Sequence, residues 1–239
     1  MSNPGDRAAR YLEEYAGEVR RALGEDCVSV VLYGSAAGVD WVEGKSDLNT
    51  VIVVRRIGVR ALDALAPVIA RWRPRGLALP VLLDSGQVEQ GTHLFPMELD
   101  DIQRQHRVLA GLDLFAAIQT EEAALRRECA QEAFGKVLRL RALYMEHAAD
   151  APALERMITE SVKSFVIVLR HLLRLQGQPV PAEYDGAVLA GEAVIGPLPA
   201  MRRALAQRSA DRPSGLVQVA REYVEEAERL VAAVTELCA

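Results

Sequence analysis

The stretch "VVLYGSAAGVDWVEGKSDLNTVIVV", Val30 to Val54, decides how this chain is read. It is framed by two short runs rich in β-branched and apolar residues, "CVSVVLY" from Cys27 and "NTVIVV" from Asn49. Runs of this kind, apolar on both faces, are the mark of central strands covered on both sides. The polar hinge between them opens with Gly34-Ser35 and closes with Ser46-Asp47-Leu48-Asn49. A glycine after a strand lets the backbone come close to a ligand, and the serine beside it can donate to a phosphate oxygen. Asp47 and Asn49 stand two apart at the start of the second strand, so their side chains share one face. Hard oxygen ligands beside a phosphate cradle suit Mg2+, which takes a carboxylate or two together with substrate phosphate oxygens.

Working outward, Ala8, Leu12, Tyr15, Val19 and Leu23 recur at three and four and predict an amphipathic helix that stops at Gly24. Leu62, Leu65, Ile69 and Trp72 predict a second helix, broken by "RPRG". The run "LALPVLLD" reads as a third strand, with Pro80 pushing it toward an edge or a bulge because proline has no amide to donate. "LFPMELDDI" reads as a fourth extended segment. Beyond residue 118 the pattern becomes purely helical. Leu125, Cys129, Ala133, Val137, Leu140 and Tyr144 form one stripe. Leu154, Ile158, Phe165, Leu169 and Leu172 form another, and Leu216, Ala220, Tyr223, Ala227, Leu230, Val234 and Cys238 a third. The expected organisation is an α+β domain over residues 1–117, a small mixed sheet with flanking helices, followed by an all-α helical bundle over residues 118–239.

Composition narrows the function classes. The chain of 239 residues is 50% hydrophobic, enough for a sizeable core, and its formal net charge is -5 with no polybasic run. That balance argues against nucleic acid or an anionic membrane as partner. No run approaches the roughly 18 apolar residues of a membrane span. Asp6, Glu13 and Glu14 interrupt the N-terminus where a signal peptide needs apolar residues, and Cys27, Cys129 and Cys238 are too scattered for a disulfide framework. A cytoplasmic location is expected.

The stretch from Leu32 to Val54 resembles the signature of the DNA polymerase β-type nucleotidyltransferase superfamily, in which a Gly-Ser turn precedes an Asp-x-Asp pair on the next strand. It is most similar to the aminoglycoside adenylyltransferase-like branch, which also carries a C-terminal helical bundle. The motif-level resemblance covers residues 20–118 and includes "FPMELDDIQRQHRVLAGLDLF". It implies Mg2+ and ATP, with Gly34, Ser35, Ser46 and Asn49 toward the nucleotide and Asp47 and Asn49 toward the metal. It also implies two further acids. Asn49 falls where the second belongs, and Ala78, within "LALPVLL", where the third belongs. An amide oxygen can ligate a hard cation but brings no charge and takes no proton.

Glu98, between apolar neighbours in "FPMEL", is the preferred substitute acid and candidate base, alongside a bland reading in which it caps or pairs with an arginine. Asp84 is a second candidate. His93, His106, His147 and His171 show no ligand spacing and read as surface or interface histidines. Arg55 and Arg56, the basic face of Lys163, Arg170 and Arg174, and Trp41 are weaker candidates for contact with an anion or a base. Two functions stay open. One is transfer of a nucleoside monophosphate from Mg-ATP to a small-molecule hydroxyl. The other is a catalytically degenerate module that binds nucleotide or protein, a homodimer included.

Overall fold

The computed structural model describes residues 4–37, 48–208 and 215–237. The chain divides into two compact units, Met1–Glu121 and Glu122–Ala239. Ser46, Asp47 and Trp41 of the hinge lie outside the described residues.

The first unit is built on a four-stranded sheet. Its strands are β1 (Cys27–Tyr33), β2 (Asn49–Val54), β3 (Val81–Asp84) and β4 (His106–Gly111), in the spatial order β3-β2-β1-β4. β1 pairs antiparallel with both β2 and β4, and β2 pairs parallel with β3. The two strands read as central are central, and the strand after Pro80 is an edge. The helices are α1 (Pro4–Leu23), α2 (Val59–Trp72), α3 (Ser85–Leu94) and α4 (Pro96–Arg104).

Each face of the sheet carries its own apolar layer. Val30, Leu32, Ile52 and Val54 pack with Leu12, Tyr15 and Val19 of α1 and with Leu65 and Trp72 of α2. The opposite face carries Val31, Val51 and Val53, which pack with Val88 of α3, Leu99 and Ile102 of α4, and Phe115. Strand alternation divides the residues in this way, and no side chain needs to reach both layers. Thr50, buried on the α1 face, shares a hydrogen bond of 3.1 Å with the Tyr15 hydroxyl. Leu62, read as part of the α2 stripe, is exposed.

The segment "LFPMELDDI", expected to be extended, is helical and forms most of α4. Pro96 stands at the start of α4 with Glu98 in its first turn, the arrangement that begins helices, since proline gives up an amide that has no partner there. The strand that completes the sheet comes one segment later, at "HRVLAG". It closes on Gly111, whose φ is +85°, and a Cβ there would stand 2.1 Å from the Val28 carbonyl oxygen. Only glycine fits so close a backbone approach.

In the second unit the helices are α5 (Glu122–His147), α6 (Ala151–Leu175), α7 (Tyr184–Ile195), α8 (Pro199–Arg208) and α9 (Ala220–Glu236), with no strand among the described residues. The predicted stripes supply the buried core: Cys129, Val137 and Leu140 from α5, Ile158, Phe165 and Leu169 from α6, and Tyr223, Ala227 and Leu230 from α9. Asp150 caps α6, its carboxylate accepting from the Ala153 amide at 3.1 Å. Glu226 of α9, only 2% exposed, accepts from the amides of Ala200 and Met201 at 2.8 and 2.7 Å and so caps α8 from a neighbouring helix.

Candidate functional site

The hinge begins where β1 ends. Gly34 leaves the strand at φ +72°, inside the left-handed region, and starts a short 3₁₀ turn over Gly34–Ala37. Its amide donates to the Gln105 carbonyl at 3.1 Å, which ties the turn to the entrance of β4. The Ser35 backbone lies in this turn.

The residues at this end of the sheet form a row. Tyr33 is paired with Asn49 on β2 and with His106 on β4. Tyr33 is packed against the Val31–Val51 layer, and Asn49 shares the parity of Val51 and Val53 and so stands on the same face. On the other side of β2, Leu48 and Leu77 form a parallel bridge, and the Ala78 amide donates to the Leu48 carbonyl at 3.1 Å. The row therefore reads Ala78, Asn49, Tyr33, His106 across neighbouring segments, and none of the four is a carboxylate. The Asn49 side-chain nitrogen is 3.6 Å from the place a Cβ on Gly34 would occupy.

An acid reaches this face from α4. The Tyr33 hydroxyl donates to Glu98 Oε1 at 2.5 Å, the length of a strong charge-assisted bond. Glu98 is half-buried, and its partner is a phenol where sequence reasoning weighed a cap or an arginine. Burial pushes Tyr33 far above the ordinary tyrosine range, and the negative charges of Glu98 and Asp101 push it further the same way. The phenol thus remains a donor at every physiological pH.

Asp84, the second candidate acid, and Asp100 of α4 are committed elsewhere. Asp84 accepts from the Gln87 amide at 2.9 Å and forms a capping box at the start of α3. It pairs with Val54, at the far end of β2 from Asn49, so it stands about 16 Å of strand away from the row. Asp100 is buried and holds Arg104 through both carboxylate oxygens at 2.9 Å.

The histidines have separate fates. His106 points Nδ1 toward the Ile102 carbonyl at 2.8 Å and Nε2 toward Asp113 Oδ1 at 3.1 Å, which pins the C-terminal end of α4 to the turn after β4. Burial alone would raise Asp113, but the Ala116 and Phe115 amides and His106 outweigh it and hold the carboxyl below its ordinary range. His93 is exposed beside Glu121. His171, expected at a surface or interface, is fully buried in α6 with Nδ1 3.0 Å from the Ile167 carbonyl oxygen. Lys163 and Arg170 both lie over the Tyr184 ring, at 5.8 and 5.9 Å from its centroid. Arg55 and Arg56 are exposed beyond β2.

Tyr33 is the residue that sequence reading missed. Its place directly before Gly34, at the parity of Val31, puts it on the Asn49 face, but the run "CVSVVLY" was read only as a strand and its last residue was given no role.

Among solved structures, the chain is similar to the crystal structure of spectinomycin adenyltransferase AAD(9) from Enterococcus faecialis with ATP and spectinomycin. The TM-score is 0.59 at 15% identity, and the match covers 95% of this chain and 99% of that one. The fold is that of a nucleotidyltransferase. No family model and no curated protein sequence matches the chain. At that level of identity the likeness speaks for the nucleotidyltransferase fold and not for its chemistry.

The donors at the row set what such a fold can hold here. Asn49 offers a neutral amide oxygen, Ala78 offers nothing, and Glu98 is a carboxylate engaged by Tyr33. Among the described residues the row therefore has one carboxylate within reach, that of Glu98. That described set alone does not fit a pair of Mg2+ ions held by protein carboxylates.

Proposed function

We propose that the protein binds Mg-ATP at the ends of β1 and β2 and transfers the nucleoside monophosphate to a hydroxyl of a small acceptor. The observation that carries this reading is the Glu98 carboxylate bonded to Tyr33, one residue before the Gly34–Ser35 turn. The acceptor oxygen attacks the α-phosphorus, the bond to the β-phosphate oxygen breaks, and pyrophosphate leaves with that electron pair. Glu98 takes the proton of the acceptor hydroxyl. Gly34 lets the backbone come close to the phosphates, Ser35 serves them with its amide and hydroxyl, and Ser46 and Asn49 are assigned to the nucleotide. Bound Mg2+, held by Asp47 and Asn49, would neutralise the phosphates and favour the leaving group.

Calorimetry with Mg-ATP on the wild type and on Asp47→Ala tests the reading, together with pyrophosphate release over a panel of hydroxylated acceptors. Binding that weakens in D47A is expected. Failure of both proteins to bind nucleotide ends the proposal.

A second reading rests on Asn49 and Ala78 at the positions where the resemblance places acids. It makes the protein a nucleotide-binding or protein-interaction module without transfer activity, and its signature is ATP binding indifferent to Mg2+. Under either reading we place the protein in the cytoplasm, in keeping with the wide spacing of Cys27, Cys129 and Cys238 along the chain. Among the described residues no helix is long and apolar enough to cross a membrane.

A further inference from the structure

We infer that Tyr33 is a positioning residue whose hydroxyl fixes the Glu98 carboxylate at the end of β1 and so supplies this face with the acid its own row lacks. The inference rests on the nucleotidyl-transfer reading for its consequence, but the contact itself does not depend on that reading.

The two partners differ in how firmly they are held. Tyr33 is anchored on both sides, paired with Asn49 and with His106, and its ring is packed into the Val31–Val51 layer. Its hydroxyl therefore has one reachable position relative to Gly34. Glu98 rides in the first turn of α4, a helix of only nine residues, on a side chain with rotatable bonds. Left alone, that carboxylate would sample several rotamers, at an entropic cost each time one was selected. The 2.5 Å bond transfers the rigidity of the sheet to the acid. One donated hydrogen bond leaves a carboxylate free to accept elsewhere, since it has about four lone-pair sites. Glu98 can thus be held by Tyr33 and still take a proton. Burial, reinforced by the charges of Glu98 and Asp101, keeps the phenol protonated, so the bond has one direction at working pH.

The core role of the Tyr33 ring and the role of its hydroxyl separate in Tyr33→Phe, which keeps the ring and removes only the donor. The first measurement uses the full chain with ¹³C-labelled tyrosine Cζ at neutral pH. The Tyr33 resonance is assigned by its loss in Y33F, and it is expected to move in Glu98→Gln and in Glu98→Ala. A Tyr33 resonance indifferent to both changes overturns the inference.

The second measurement is kinetic. In Y33F, kcat is expected to fall at least tenfold while the Mg-ATP Kd and the melting temperature stay near wild type. A hydroxyl with a merely structural role would, on removal, lower the melting temperature and leave kcat alone. Full kcat in Y33F alongside inactive E98Q overturns the positioning role and leaves the transfer reading standing. A moved Tyr33 resonance in a protein with no turnover on any acceptor upholds the contact and defeats the transfer reading. The two failures are therefore distinguishable.

Discussion

The Asn49 side-chain amide lies 3.6 Å from where a Cβ on Gly34 would stand, so the residue that opens the hinge and the residue that closes it meet at one point. That separation is ordinary van der Waals contact, and the space alone would admit a methyl group. The obstacle is the backbone, because Gly34 sits at φ +72°. An L-residue held there costs about 1–2 kcal/mol. Gly34→Ala is expected to lower unfolding stability by that amount in urea titration, and to weaken Mg-ATP binding if the turn relaxes away from Asn49.

Changing Asn49 to Asp restores the charge that the resemblance places at this position. A second carboxylate beside Asp47 should make ATP binding depend more steeply on Mg2+, because affinity for hard cations rises with ligand charge. Calorimetry with and without the metal measures the difference directly. The double variant Asn49→Asp, Ala78→Glu extends the test to transfer. No gain in pyrophosphate release would favour the binding-module reading.

The opening stretch made the two central strands and the Gly-Ser turn legible, because continuous apolar runs and a glycine after a strand each have one local cause. The helical stripes of the second unit were legible for the same reason, since a period near four residues is read within a single element. What the sequence concealed was tertiary. "LFPMELDDI" carries apolar residues close enough together to pass for a strand, and the helix-starting signal of Pro96 and Glu98 was overridden in the reading. The Tyr33–Glu98 contact joins residues 65 apart, and no local pattern marks it. His171 was read as a surface or interface residue because a polar ring on a helix usually is, whereas here it is buried with Nδ1 against the Ile167 carbonyl.

If Glu98 is the proton acceptor, Glu98→Gln keeps the hydrogen-bonding shape and removes the base. Transfer should then fall by about 10²–10⁴-fold, the usual range for loss of general base catalysis. The Mg-ATP Kd should remain near wild type, because the carboxylate acts on the acceptor and not on the nucleotide. Quenched-flow product analysis at saturating ATP separates the two effects. A Kd that rises in step with the loss of rate would assign Glu98 to nucleotide binding.

In the helical unit, Glu226 makes a prediction that needs no ligand. Burial raises its carboxyl above the ordinary value, against the lowering effect of the Ala200 and Met201 amides and of Arg229, while Glu222 raises it further. A raised native pKa means that the folded chain holds this proton more tightly than the unfolded chain. The associated stability is complete below the unfolded value of about 4.3 and is lost as pH climbs through the higher folded value. The wild type should therefore lose stability across that window relative to Glu226→Gln, whose side chain cannot ionise and still offers one acceptor to the α8 amides. Urea unfolding of both proteins at several pH values reads the difference. A constant gap between them from pH 4 upward would show that the Glu226 pKa is the same in the folded and unfolded chains.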